Sequence, residues 1–301
     1  MPVIVTPESP RHPEATALLH ASHAYSASLY KPEENFVLSV DDLCAPDIRF
    51  LAARIEGRIV GTAALALRDG YGEIKSMFVA PEARGSGVAG TLMRRLIAVG
   101  VAQHLPMLRL ETGPLNHDAM RMYARHGFRR CGVFGDYPDS PASVFMERDT
   151  PALRRLTPQD DMAPVHALLT GAFAYMDGVI DPPSSMNRMK PADLGAQAGR
   201  AELWILDGPL ACMILTDKGD TLYLGKLAIA GDWRGTGLAR VMIEHAVMRA
   251  KALGRPSVTL QTRVELTGNQ RAFQGLGFLE TGRTAHAGYA QPTSITYTRA
   301  V

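Results

Sequence analysis

The sequence predicts an α/β protein with mixed strand pairing, built from two tandem copies of one domain. Three observations carry that expectation. First, Arg84-Gly85-Ser86-Gly87-Val88-Ala89 returns as Arg234-Gly235-Thr236-Gly237-Leu238-Ala239, an offset of 150 in a chain of 301 residues. Second, the same offset aligns Ala17-Leu18-Leu19 with Ala167-Leu168-Leu169, Ala24-Tyr25 with Ala174-Tyr175, and Gly127-Phe128 with Gly277-Phe278, in order along both halves. Third, strand-like and helix-like segments alternate in each half after an initial hairpin, the pattern of a mixed, partly parallel sheet flanked by helices. A period this long is domain-sized, far beyond the roughly 20–50 residues of a solenoid unit. The expected domains are 1–149 and 150–301, joined near Asp149-Thr150-Pro151.

Each element has a local reason. Thr6-Pro7-Glu8-Ser9 leads toward a helix through Ala17, Leu18 and His20, and Thr157-Pro158-Gln159-Asp160 does the same in the second half. Phe50 to Arg54 and Ile59 to Leu65 are apolar and flank Glu56-Gly57, a hairpin turn signal; Glu202 to Leu206 and Leu210 to Leu215 flank Asp207-Gly208 likewise. Glu73 to Ala80 and Thr221 to Ala230 read as the next strands. Leu92, Leu96 and Val99 form one helical stripe, with Val241, His245 and Met248 spaced the same way before a Gly254 and Pro256 stop. Met107 to Thr112 and Ser257 to Thr262 read as strands. Pro114 to His126 and Gly268 to Leu276 read as helices, each closed by Gly-Phe.

Composition narrows the classes. The chain is 46% hydrophobic with a formal net charge of +2, ordinary for a globular protein whose halves can each bury a core. No clustered basic face points to nucleic acid. Cys44, Cys131 and Cys212 are isolated, without metal spacing, so the expectation is no metal and a reducing compartment. No apolar run approaches the roughly 20 residues of a membrane helix, and Met1 to Pro13 lacks a signal-peptide core. A cytoplasmic protein with no membrane partner is expected.

The repeated loop is the chemical signal. A strand feeding a glycine-rich turn and then a helix presents unpaired backbone N–H groups and the positive end of a helix dipole. Both favour a phosphate or diphosphate. Gly85 and Gly87 keep side chains away from those N–H groups, and Arg84 and Arg234 add fixed positive charge. A tight turn without ligand is the plain alternative. Gly85, Gly87 and Gly90 also spell G-x-G-x-x-G with Glu111 downstream, which superficially suits a dinucleotide-dependent oxidoreductase. Against it, Pro81-Glu82-Ala83-Arg84 intervenes between strand and glycine, several strands precede the motif, and the second copy has Arg240 and Gln261 at the third glycine and acid positions.

At these residues the chain resembles the GCN5-related N-acetyltransferases, whose acetyl-CoA loop follows Arg/Gln-x-x-Gly-x-Gly/Ala. Arg84, Gly87 and Ala89 match it, as do Arg234, Gly237 and Ala239. The family segment Asn-x-x-Ala-x-x-Leu-Tyr-x-x-x-Gly-Phe is matched by Asn116, Ala119, Tyr123, Gly127 and Phe128, with Met122 in place of Leu. The second half departs from it, with Leu266, Asn269 and Phe273 at the Asn, Ala and Tyr positions. The resemblance covers essentially the whole chain and implies two tandem acyl-CoA N-acyltransferase-like domains, each with a sheet split by a V-shaped opening. It implies acetyl-CoA as cofactor, one per domain, with pantetheine pairing to strand backbone at Phe78 and Val79 or at Ala228 and Ile229. The implied cofactor loops are Arg84, Gly85, Ser86, Gly87, Val88 and Ala89, and Arg234, Gly235, Thr236, Gly237, Leu238 and Ala239.

The implied reaction moves an acetyl group to a primary amine of a small molecule or peptide. Tyr123 is the implied acid toward the leaving thiolate, and Asn116 either seats the cofactor or caps its helix. Glu73 is the candidate base, since alternation along its strand places Glu73, Lys75 and Met77 on one side. Glu111 on the neighbouring strand is either structural or functional. The offset turns Tyr123 into Phe273 and Glu73 into Tyr223, so the first half is expected to carry most turnover. Glu265, His286 and Tyr289 are the second half's substitutes, and Met176 to Pro183 is expected over its substrate opening. Asp136 and Asp139 are candidate receivers of a cationic acceptor or plain solvated acids. A CoA-binding sensor or scaffold without catalysis is the competing function. A monomer is expected, because a tandem chain supplies internally what single domains gain by dimerising.

Overall fold

The computed structural model describes residues 2–301. The chain divides into two compact units, Met1–Thr150 and Pro151–Val301. The first contains β1 (Ile4–Pro7), α1 (Pro13–Leu29), β2 (Ile48–Ile55), β3 (Arg58–Arg68), β4 (Tyr71–Val79), α2 (Val88–Ala102), β5 (Met107–Thr112), α3 (His117–Arg125), β6 (Arg129–Arg130) and β7 (Val144–Asp149). Its seven strands lie in the order β1-β2-β3-β4-β5-β7-β6. The second contains β8 (Leu153–Leu156), α4 (Ala163–Phe173), α5 (Pro191–Ala198), β9 (Glu202–Leu206), β10 (Ala211–Asp217), β11 (Leu222–Ile229), α6 (Leu238–Ala252), β12 (Ser257–Arg263), α7 (Thr267–Gln274), β13 (Leu279–Thr284) and β14 (Ser294–Ala300). Its sheet runs β8-β9-β10-β11-β12-β14-β13, the same topology strand for strand.

Only one pair in each sheet is parallel, and it is short. β4 and β5 are in register over Gly72–Ile74 and Leu108–Leu110. β11 and β12 pair only at Leu222 with Val258 and at Tyr223 with Thr259. Beyond these points the strands part, so the carboxyl-terminal halves of β4 and β11 each have one edge open. A β-bulge lies just past the last parallel pair in both units. Ser76 and Lys226, at the same place in the repeat, both have φ of 50°. The register slips there, between Thr62 and Ala64 in β3 and between Cys212 and Ile214 in β10. An extra residue bends the strand and re-aims the side chains beyond it. The alternation that put Met77 on the side of Glu73 and Lys75 therefore stops at Ser76.

Helices cover the sheets through apolar faces. Ala15 and Leu19 of α1 pack on Leu43, Phe50, Ala52, Ile59 and Ala64. α2 buries Leu92, Met93, Leu96 and Ile97, while Val99 is half-buried. α6 corrects the expected stripe: Met242, Ile243, Ala246 and Ala250 are buried, whereas Val241 and His245 are half-buried and Met248 is exposed. Both stripes fit a 3.6-residue period, so spacing alone does not separate them. α3 and α7 end in matching motifs. Gly127 has φ of 82° and Gly277 φ of 87°. Phe128 N–H donates to the Tyr123 carbonyl and Gly127 N–H to that of Ala124, at 3.1 and 3.0 Å, with Phe278–Phe273 and Gly277–Gln274 doing the same at 3.1 and 3.0 Å. This is the left-handed helix stop that glycine permits. No helix among the described residues is long and apolar enough to cross a membrane.

Candidate active site

The repeated loop takes the same shape twice. A short turn (Pro81–Ala83, Gly231–Trp233) precedes each arginine, and the helix begins after two further glycines. Gly85 and Gly87 have φ of 79° and 86°, and Gly235 and Gly237 of 76° and 97°. A Cβ on Gly85, Gly87 or Gly235 would meet no protein atom within 4 Å, so the glycines serve backbone conformation and leave the outer side open. The first ladder bond of α2 runs from Thr91 N–H to the Gly87 carbonyl at 3.0 Å, and that of α6 from Val241 to Gly237 at 3.3 Å. The N–H groups of Val88, Ala89 and Gly90, and of Leu238, Ala239 and Arg240, precede those bonds and lie at the positive helix end. This donor set fits a diphosphate. The Ser86 and Thr236 hydroxyls turn inward instead, donating to the Ala83 and Trp233 carbonyls at 2.6 Å each. They brace the loop, which leaves only their main chain to a ligand.

Each arginine is held by the first helical region of its own unit. The Arg84 guanidinium lies 5.9 Å from the Tyr25 ring centroid, and that of Arg234 lies 5.4 Å from Tyr175. Arg234 also donates to the Ala172 carbonyl at 2.6 Å. The repeated Ala-Tyr dipeptide thus has a physical role as an arginine rest.

In the first unit a cleft of about 600 Å³ runs along the open edge of β4. Lys75, Phe78, Val79, Arg84, Ala89, Glu111, Asn116 and Tyr123 all line it. Tyr30 closes one wall. Its hydroxyl accepts from Leu115 N–H at 2.9 Å, and a Cβ on Gly113 would fall 2.1 Å from its ring, so glycine is required at that crossing. Tyr123 is buried, and its ring packs on Phe128 with centroids 5.9 Å apart. Burial, with a smaller push from the Glu111 charge, raises its phenol to about 12. It therefore stays protonated and can only donate. Asn116 occupies the cap position of α3 without capping it, and its amide donates to Thr112 Oγ1 at 3.4 Å.

The two acids differ. Glu73 is buried and does not line the cleft. Its carboxylate accepts from the Tyr137 hydroxyl and from Lys75 Nζ at 3.3 Å, with Arg68 Nε at 3.7 Å. Glu111 does line the cleft. Burial raises its carboxyl above the usual range, although the Ser143 hydroxyl, donating at 2.8 Å, works in the opposite direction. Sequence reasoning passed over Tyr137, which donates to Glu73, accepts from Lys75 and packs against Phe36, Phe134 and Phe145. Its flanking acids, Asp136 and Asp139, are exposed and line no wall of this cleft.

The second unit has a cleft of about 730 Å³ along β11. Phe273, Tyr223 and Gln261 line it where the offset places Tyr123, Glu73 and Glu111. Its β11 lining ends at Leu227, short of Ala228 and Ile229. Met176, Ile180, Pro182 and Pro183 form part of its wall. His286 reaches it, while Tyr289 is occupied with Asp181 at 2.5 Å and Glu265 accepts from Asp181 N–H at 3.2 Å.

Comparison with known proteins agrees with this architecture. The model of the acetyltransferase (GNAT) family matches twice, at residues 16–128 and 182–278. A protein of Azospirillum brasilense named IAA acetyltransferase is 39% identical over 148 residues, covering 48% of this chain and 97% of that protein. A solved structure from Klebsiella pneumoniae, described as an acyl-CoA N-acyltransferase, is 31% identical over 49% of this chain and 97% of its own, with a TM-score of 0.42. The PaiA N-acetyltransferase of Thermoplasma acidophilum, solved with coenzyme A, is 18% identical over 50% and 99%, with a TM-score of 0.41. The dinucleotide reading of the glycine loop is thereby disfavoured. The chain belongs to the acetyltransferase (GNAT) family and carries two of its domains in tandem.

Proposed function

We propose that each unit binds one acetyl-CoA and that the first unit carries most of the turnover, acetylating a primary amine. The observation that carries this reading is the composition of the first cleft: the anion loop, Tyr123 and Glu111 share one continuous surface. Acetyl-CoA supplies an activated acyl thioester. The loop N–H groups and Arg84 hold its diphosphate, and the open β4 edge at Phe78 and Val79 receives the pantetheine amides. An ammonium has no lone pair, so the acceptor must lose a proton before it attacks. Glu111 takes that proton, because burial has moved its carboxyl toward the range useful for a base near neutral pH. Glu73 serves from behind, fixing Lys75 and Tyr137. Tyr123 donates a hydrogen bond to the sulfur as negative charge grows there. Complete transfer from Tyr123 is disfavoured, since a tyrosinate would form in the surroundings that raise its pKa to about 12. After attack the nitrogen sheds its second proton as the C–S bond breaks; of the two protons lost, one ends on the leaving thiolate, from Glu111 or solvent, and the other passes to solvent.

In the second unit Phe273 and Gln261 offer neither the phenol nor the carboxylate, which supports a slower or non-catalytic role there. A thiol-release assay with acetyl-CoA and an amine panel, run beside native mass spectrometry with coenzyme A, tests both parts. Turnover and two bound cofactors per chain are expected. No thiol release with any amine, or a chain that retains no coenzyme A, would end the reading.

A further inference from the structure

The second cleft is chemically unlike the first. Glu34, Glu111 and Asp118 line the first, beside Lys75, Arg84 and Arg121. No carboxylate lines the second, whose charged residues are Arg188, Arg200, Lys226 and Arg263. Two of these reach inward. Lys226 stands on the bulge of β11. Its ammonium donates to Met186 Sδ at 3.5 Å, and the charge-bearing neighbour it feels is the Cys212 thiol rather than a carboxylate. Arg263 spends Nε on the Thr293 carbonyl at 3.0 Å and Nη1 on Pro182 at 2.9 Å, with Glu265 at 3.8 Å from Nε. Its Nη2 is buried without a hydrogen-bond partner.

A third group points the same way. Thr262 is 6% exposed, lines the cleft, and its Oγ1 has no partner. In the first unit the equivalent Thr112 hydroxyl accepts from Asn116, and the offset replaces Asn116 with Leu266. Buried polar groups without partners are uncommon in native proteins, and each calls for a reason. A half-buried lysine without a carboxylate partner is a second such anomaly, consistent with burial pulling its ammonium below the usual lysine range. An oxyanion suits each of these groups, since it accepts from an ammonium, a guanidinium or a hydroxyl. The remaining wall is apolar, with Phe173, Met176, Ile180, Ile214, Leu260 and Phe273.

We propose that the second cleft is a binding site for a small organic anion, an apolar body ending in a carboxylate or phosphate that Lys226, Arg263 and Thr262 hold. No residue of the 231–239 loop lines this cleft, so the anion is not the cofactor diphosphate. Arg188 and Arg200, both exposed, sit at the same cleft and steer anions toward it.

Titration calorimetry on the full chain with phenylacetate, phenylacetamide and phenyl phosphate tests this. The amide keeps the apolar body and removes the charge. Phenylacetate or phenyl phosphate is expected to bind at least about tenfold more tightly than the amide, as a charge-assisted hydrogen bond implies. The tighter of the two anions identifies the headgroup. Lys226→Met should abolish the preference and Lys226→Arg should restore it, with thermal unfolding checking that both variants fold. The comparison in the unmodified chain stands without any variant. Equal binding of amide and anions, no anion binding at millimolar concentration, or an unchanged preference in Lys226→Met would overturn the proposal.

Discussion

Replacing Tyr123 with Phe isolates one hydroxyl. The ring packs on Phe128 at 5.9 Å, and the second unit already places Phe273 against Phe278 at 6.1 Å, so the fold accommodates phenylalanine at this position of the motif. Thermal stability should therefore change little. The kinetic effect stems from the hydroxyl's surroundings. It is buried beside a carboxyl whose own pKa is raised, so water compensates poorly for its loss. A hydrogen bond to a charged partner contributes about 1.5–3 kcal/mol, which is roughly ten- to 150-fold in rate. The loss should appear in kcat, because charge on sulfur develops only as the thioester breaks. Thiol release under saturating acetyl-CoA measures kcat, and calorimetry with coenzyme A measures affinity. An unchanged kcat refutes the assignment. So does a fall in kcat matched by an equal fall in coenzyme A affinity, which would make Tyr123 a cofactor-seating residue. The pH profile adds a check: a phenol near 12 stays protonated throughout the working range, so no limb of the profile should vanish in the variant.

The same geometry sets other outcomes. Glu111 must be ionised to act, and burial raises its pKa, so kcat/KM should fall as pH drops through a value above 4.5; Glu111→Gln should give a slow rate without that acid limb. Gly87→Ala forces a φ of 86° on a residue with a Cβ, and should cost about 1–2 kcal/mol in urea unfolding while weakening coenzyme A binding to the first unit. Glu202 is buried and accepts from Arg249 at 2.9 and 2.6 Å, which holds its carboxyl below the usual range. A depressed folded pKa stabilises above the unfolded value and is lost as pH falls through the folded one. Glu202→Gln should thus cost about 1.5–3 kcal/mol at neutral pH, and its deficit in urea unfolding should shrink in acid.

Much of the fold was legible because the repeat supplied two readings of each element. The hairpin turns, the twin loops and the Gly-Phe helix stops rest on backbone demands that few residues meet, so glycine and its spacing marked them. The stripe on α6 was misjudged where the repeat was ignored: Leu92 and Leu96 project onto Met242 and Ala246, both buried. The bulge was invisible because Ser76 and Lys226 are not residues that a left-handed φ selects. Simple alternation favoured Glu73, while the folded strand turns Glu73 toward Lys75 and Tyr137 and leaves Glu111 facing the cleft. Tyr137 comes from a distant loop, and no local pattern announces a contact of that range.

The two units retain what the backbone requires and differ in what the side chains do. Both spend strain on a non-glycine residue at φ of 50°, in the same place, to part the strand from its parallel neighbour. Both keep the two loop glycines and an aromatic rest for the loop arginine. At the bulge itself the side chain changes from Ser76 to Lys226, and around it Tyr123, Glu111 and Asn116 become Phe273, Gln261 and Leu266. These four exchanges remove a phenol, a carboxylate and the Asn116 amide and add the Gln261 amide and the Lys226 cation, while Lys75 becomes Gly225. If the second unit performed the first unit's chemistry on another amine, the proton acceptor would need a replacement lining its cleft. His286 is the one imidazole lining it, and its Nδ1 is engaged with Thr293 Oγ1 at 2.5 Å. The set is better matched to holding an anion than to deprotonating an ammonium, in line with the proposal that catalysis and anion binding fall to different halves of one chain.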